Sequence, residues 1–354
     1  MRKYMKIVVF TLLTVFLFTS VLTGCGQKSG DKKTESTGST ETSGSNTDSA
    51  DQLFIGYVCN QMNHEWYQNI CNGAEEEAKR LGVKLSIADS NMDVTTQINA
   101  CENFIAQGVD VLVITPIDPK AVAPSLKKAK EKGIHVITES NVVEGADTYV
   151  GISNVEGGKK VGKWYAEYAK KNNISPKILI IGLPAYEDCR QRVQGFKEGL
   201  DEAGLEYEIV QEVDGQGDKE KSLVAATDAL TAHKDVNCIF GINDNSTTGG
   251  MAAYKAAGLD ESKLVAIGFG FEGKVGQEAL MSGGPYKVAC AMFPQFVGVG
   301  LVSASVALAN GEKLPEHYET PTIAMTEELF PKYYNKNGAE YELNFDAVRE
   351  LLNK

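Results

Sequence analysis

FIGYVCN, residues 54–60, is a short apolar run rich in β-favouring side chains and reads as a buried strand. Gln61-Met62-Asn63-His64-Glu65-Trp66-Tyr67 follows, and then Ile70, Ala74, Ala78 and Leu81 fall at helical spacing. A strand that feeds a helix through a loop puts that loop at the carboxyl edge of a sheet, where open α/β proteins bind ligands. Here the loop carries two adjacent aromatics, Trp66 and Tyr67, beside the hydrogen-bonding side chains of Asn60, Asn63 and His64. A sugar, with flat C–H faces and a rim of hydroxyls, suits such a set. Capping of the first helix against the core suits the two aromatics equally.

The strand-then-helix alternation repeats outward from this stretch. VKLSIAD precedes a helical pattern over 95–107, DVLVIT precedes one over 120–132, and IHVIT then TYVGI lead into one over 157–171. A second series runs KILIIG, a helix from about Arg190, EYEIVQEV, a helix from about Lys219, then NCIFGI and a helix near 246–257. LVAIGF, a further helix and YKVACAM complete it. Two such series predict an α/β protein of two doubly wound parallel-sheet lobes.

Upstream, Arg2, Lys3 and Lys6 precede the apolar run IVVFTLLTVFLFTSVL and then Leu22-Thr23-Gly24-Cys25. A basic start, a short apolar core and small residues predict a secretory signal over 1–24 rather than a spanning helix. LTGC resembles the bacterial lipoprotein signal, which implies lipidation of Cys25 and an extracytoplasmic protein held to the cell membrane by its lipid anchor only. Residues 26–52 are Ser, Thr, Gly, Lys and acidic side chains with almost nothing apolar. They predict a disordered tether with a mean span of roughly 30 Å.

Acidic residues outnumber basic ones, 47 to 35, and no basic stripe interleaves with aromatics, which excludes nucleic acid as a partner. Cys59, Cys71, Cys101, Cys189, Cys238 and Cys290 form no CxxC pair, and three of them sit in strand-like runs. Most read as small buried hydrophobes rather than disulfides or metal ligands. GxSxG, HExxH, GxxxxGKS and DxDxDG are all lacking, so no enzyme, catalytic residue, cofactor or metal is expected. GFGFEG at 268–273 satisfies GxGxxG after a strand, but YKVACAM lacks the acidic residue that a dinucleotide ribose needs.

FIGYVCN with its aromatic pair, ADSNMD, ITPIDPKAV, GISNVEGGKKVG, CRQRVQGF, TAHKDVNCIFGINDNSTTGG and VAIGFG occur in that order. Over about 53–326 the chain thereby resembles the periplasmic sugar-binding family that includes the ribose-binding protein. The resemblance implies the type I periplasmic-binding-protein fold, two lobes joined by a three-segment hinge near Ser153, Met292 and Thr322. The N-terminal lobe would hold 53–153 plus 293–322, the C-terminal lobe 154–292 plus 323–354, and ligand would sit between them as they close. The implied function is that of a monomeric substrate-binding lipoprotein of an ABC transporter. It would bind a monosaccharide or related polyol and serve a permease and an ATPase. A sensory receptor for a sugar-like signal and a nucleoside-binding protein share this fold as alternatives. Sugar-responsive repressors also share the core, but they carry a helix-turn-helix where this chain has its signal and tether.

Carried across position by position, the family pattern falls on Asn60, His64, Trp66 and Tyr67 in the first lobe, His64 standing where a ribose binder has asparagine. The family's Asp-Arg pair falls on Glu139-Ser140-Asn141, which makes Glu139 and Asn141 candidates. In the second lobe Arg190 falls on the sugar-binding arginine, and Arg192 reads as a surface or salt-bridge residue. Asn243 matches a cleft asparagine whose other role is a helix cap, although Asp244, Asn245 or Ser246 could cap too. Phe269 matches a second aromatic plate. Gly270 and Met292 replace an aspartate and a glutamine, with Glu187, Asp188 or Glu272 as possible compensation. Past Thr326, Phe345, Val348, Leu351 and Leu352 predict a short amphipathic helix packed on a lobe, without assigned chemistry.

Overall fold

The computed structural model describes residues 52–338 and 340–352. The predicted leader, Cys25 and nearly all of the tether lie outside them. The chain opens with β1 (Phe54–Cys59), α1 (Glu65–Leu81), β2 (Lys84–Asp89), α2 (Val94–Gln107) and β3 (Val111–Ile114). It continues through α3 (Pro119–Glu131), β4 (His135–Glu139), β5 (Thr148–Gly151) and the long α4 (Asn154–Lys171). The second series is β6 (Lys177–Gly182), α5 (Glu187–Glu202), β7 (Glu208–Asp214), α6 (Lys219–Ala232) and β8 (Cys238–Gly241). Next come α7 (Asp244–Ala256), β9 (Val265–Gly270), α8 (Lys274–Met281), β10 (Tyr286–Ala291) and α9 (Pro294–Ala309). The chain ends with β11 (His317–Glu319), β12 (Ile323–Thr326), α10 (Phe330–Tyr333), β13 (Tyr334–Asn337), β14 (Glu340–Leu343) and α11 (Phe345–Leu352).

Two six-stranded sheets result, ordered β11-β5-β4-β3-β1-β2 and β12-β10-β9-β8-β6-β7. Every neighbouring pair is parallel except β10 with β12. Sheets covered by helices on both faces need continuous apolar strands, and β3 (VLVI) and β8 (CIFG) are buried throughout. Helix starts follow the side-chain chemistry: Asp93, Asp118, Ser153 and Asp218 each accept from a first-turn backbone N–H. The sixth strand of each sheet, β11 and β12, is short and comes from late in the chain, which local periodicity does not reveal. The chain passes between the sheets at 152–153, 292–293 and 320–322.

In each lobe a pair of helices crosses at backbone contact. A Cβ on Gly298 of α9 would lie 2.0 Å from the Ile70 carbonyl oxygen of α1, and one on Gly195 of α5 would lie 2.0 Å from that of Val155 in α4. Real Cβ atoms cannot occupy such positions, so Gly195→Ala must push α5 off α4. We expect a loss of about 3 kcal/mol, at the upper end for overpacking, seen as a lower denaturant midpoint with unchanged slope.

The tail forms the predicted helix as α11, preceded by an antiparallel β13–β14 hairpin that was not anticipated. Its aromatics pack into a core with Phe271 and Phe293. Those two residues hold left-handed backbone, at φ 55° and 48°. For a bulky side chain that conformation stores about 1–3 kcal/mol each.

Candidate functional site

The carboxyl ends of the strands carry the candidate residues, and the lobes meet there. A Cβ on Gly273 of the second lobe would lie 2.8 Å from Glu65 Oε1 of the first. On the first-lobe side Asn60 follows β1, buried, its Oδ1 accepting from the Gln61 N–H at 2.7 Å. His64 is exposed and caps α1, its Nδ1 accepting from the Trp66 N–H at 3.2 Å. Capping occupies that nitrogen, so the structure gives His64 a local structural job. Trp66 and Tyr67 lie half-buried in the first turn of α1.

Glu139 ends β4 at 2% exposure. Its Oε2 accepts from Thr115 Oγ1 at 2.8 Å and its Oε1 from Ser140 Oγ at 2.7 Å, while Tyr57 and Thr115 share a further bond at 2.9 Å. Burial pushes this carboxyl up to about 7, although bonds from Ser140, Thr115 and the Trp66 side chain pull it back. Asn141 differs: it is exposed at the rim, and its Nδ2 donates to the Pro116 carbonyl at 3.0 Å, tying two loops together. Of the two candidates, Glu139 is the one in the wall of the site. Tyr149 was not foreseen; its hydroxyl is raised by burial, by Glu139, and by Asp188 from the opposite lobe.

In the second lobe the structure places the two arginines of α5 differently. Arg190 is half-exposed, paired with Glu187 and donating to the Pro184 carbonyl at 2.5 Å. It lines a groove of about 820 Å³ between α5 and β7. Arg192 is the inward one, its side chain 11% exposed. It donates from Nε to Asn154 Oδ1 and from Nη1 to the Ile242 carbonyl, both at 2.9 Å, and its guanidinium lies 4.6 Å over the Phe269 ring. It also pairs with Asp188 at 3.6 Å, as expected of a salt-bridge residue. Two residues apart on a helix is roughly 200°, so the two arginines face opposite ways. The signal was present: Cys189, Arg192, Phe196 and Gly199 fall on the buried stripe of α5, three or four residues apart.

Phe269 is 0% exposed, packed against Gly157 of α4, with the Arg192 guanidinium over its ring. Asn243 is the cap of α7: its Oδ1 accepts from the Ser246 N–H at 2.7 Å and its Nδ2 donates to the Gly217 carbonyl at 2.9 Å. Asp244 beside it accepts from the Tyr286 hydroxyl at 2.5 Å and from the Phe271 N–H at 2.9 Å. Burial raises Asp244 to about 6 and Glu272 to about 7; Arg192 opposes both shifts, and Glu65 adds to that of Glu272. Among the described residues no group of three His, Cys, Asp or Glu is placed to hold a metal ion. The six described cysteines are buried free thiols. No described helix is long and apolar enough to cross a membrane.

The residues gathered at these strand ends are carboxylates, aromatics, amides and the Arg192 guanidinium. Residues 55–313 match the family model of the periplasmic binding protein domain. The chain is 26% identical over 279 residues to the ribose import binding protein of Bacillus subtilis, covering 78% of this chain and 88% of that one. A periplasmic solute binding protein of an ABC transporter from Actinobacillus succinogenes, solved with bound D-allose, superposes with a TM-score of 0.66 at 25% identity. That match covers 78% of this chain and 98% of the other. The arabinose binding protein AraP of Geobacillus stearothermophilus shares the fold, with a TM-score of 0.69 at 22% identity over 80% of this chain and all of its own. These proteins bind rather than catalyse. With the family model spanning most of the chain and both sheets wound as the fold requires, the chain belongs to the periplasmic binding protein family.

Proposed function

We propose that this protein captures a monosaccharide or related polyol between its lobes and hands it to the permease of an ATP-driven importer. The observation that carries the reading is the pairing of half-buried Trp66 and Tyr67 beside the Glu139 carboxylate with Arg192 held over Phe269 from the opposite lobe. Aromatic edges take sugar C–H faces, a carboxylate accepts two hydroxyls, and a fork of donors reaches adjacent oxygens. Relatives named for ribose and a neighbour solved with D-allose support it. In this reading Asn60, Trp66, Tyr67, Glu139 and Arg192 touch ligand, while His64, Asn141, Asn243 and Phe269 shape the loops that hold them. The bodies that close are 53–153 with 293–322 and 154–292 with most of the remainder. The LTGC sequence makes the protein a lipoprotein acylated at Cys25 and so held at the outer surface of the cell membrane.

A thermal-shift screen of the folded body, 49–354, against D-ribose, D-allose, myo-inositol, other pentoses, hexoses and polyols, and nucleosides tests this. A ligand at a hundred times its dissociation constant adds about 2.7 kcal/mol, a rise of several degrees. A strong response to one sugar or polyol is the expected result. Silence across them with a response to a nucleoside would keep the family and overturn the sugar.

A further inference from the structure

The tail past Thr326 lies beyond the matched family region, which ends at residue 313. It touches each part of the molecule on which closure depends. Phe330 and Tyr334 meet Phe271 edge-on, with ring centroids 5.8 Å away in both pairs. Tyr333 and Tyr334 lie 5.9 and 6.4 Å from Phe293. Phe271 belongs to the site loop and gives its N–H to Asp244; Phe293 stands at the second crossing between the lobes. An aromatic residue keeps a left-handed backbone only where its surroundings over-determine it, and here one aromatic cluster surrounds both.

The same segment is anchored at each end. Arg349 of α11 donates to Glu77 Oε2 of α1 at 2.6 Å, and Phe345 lies 5.4 Å from Phe296 of α9, both on the first lobe. Lys274 of α8 and Glu340 of β14 pair at 2.7 Å on the second. Burial pushes the Glu77 carboxyl up, but Arg80 and Arg349 outweigh it and hold the group at about 2, so the anchor is fully charged.

We propose that the tail is a brace for the ligand site: it favours the arrangement of the lobes seen in the structure, with the 270–273 loop against Glu65, and fixes that loop, with Arg349 as the positioning residue at its first-lobe end. Swinging the lobes away from this arrangement changes the span between Glu77 and Lys274, so the full set of tail contacts belongs to this form. A ligand that needs that form gains whatever population the brace supplies. Loss of Arg349 leaves Glu77 with Arg80 and the Ser303 hydroxyl, so the helix keeps its counter-ion and only the link between lobes is removed.

Nitroxide labels on Val142→Cys and Tyr186→Cys, both exposed and placed on opposite lobes, report the opening by pulsed electron resonance, because the native thiols are buried. In ligand-free protein, Arg349→Gln is expected to move the distance distribution to longer values, and Arg349→Lys to restore part of the short-distance population. For D-allose the Gln variant should bind roughly three- to tenfold more weakly, through faster dissociation. Unchanged distances in Arg349→Gln and in Tyr334→Leu, with only a lower melting midpoint, would overturn the proposal and leave the tail a passive part of the core. The distance measurement uses no ligand, so it decides the matter whichever sugar binds.

Discussion

Arg192→Ala is expected to weaken binding of the strongest sugar by about a hundredfold, near 3 kcal/mol, while Arg190→Ala stays within about twofold. The first side chain is nearly buried and fixed by three partners, so in the proposed site a contact from its remaining donors would cost little further entropy. The second is tied to Glu187 on an outer face. Arg192→Ala also strips a donor from the buried Ile242 carbonyl and from Asn154, so some stability goes with it. Arg192→Lys separates the effects, because it keeps the charge and loses the fork. Titration calorimetry on the three variants reads the outcome; a large loss in Arg190→Ala with Arg192→Lys unchanged would reverse the assignment.

Glu139→Gln is expected to cost at least tenfold in sugar affinity at pH 8 and yet to stabilise the ligand-free protein there. The native carboxyl sits near 7 where an exposed one titrates near 4.5, so folding favours its protonated form. Its contribution is full below the unfolded pKa and is lost as pH rises through about 7. At pH 8 the ionised group costs folding about 3 kcal/mol on that shift alone, less whatever Gln forfeits to Thr115 and Ser140. Asp244 and Glu272 are raised as well, so ligand-free stability should fall between about pH 5 and 8, more shallowly in the variant. Denaturant midpoints at three pH values check both slopes. A variant less stable than the parent at pH 8 would show that the two donors, not the charge, dominate the site.

The architecture was legible because most of the parallel strands, β3 (VLVI) and β8 (CIFG) among them, are short runs followed by a helix, and those signals are local. The places of Trp66 and Tyr67 in the first turn of α1 and of Glu139 at the end of β4 follow from the same local signals. The different settings of Arg190 and Arg192 were not legible, because the two stand two residues apart in one motif and only helix phase tells them apart. The burial of Phe269 was not legible, since neither side of β9 is polar and its alternation gives no direction. The cap made by Asn243 was, since it follows β8 and opens a helix. In the tail, helical spacing predicts one helix, while the hairpin before it pairs Tyr334–Asn337 with Glu340–Leu343 and carries its own local turn signal in Asn337-Gly338.

The thiols divide evenly. Cys59, Cys71 and Cys101 lie in β1, α1 and α2, and Cys189, Cys238 and Cys290 in α5, β8 and β10, all buried and none cross-linked. The fold therefore holds without any cross-link among these six sulfurs. Each lobe thereby carries its own set of three chemical clocks. A thiol reagent too large to enter the folded body modifies a sulfur only when the surrounding element opens, so the rates at the six positions, resolved by peptide mass, report the local opening of one lobe independently of the other.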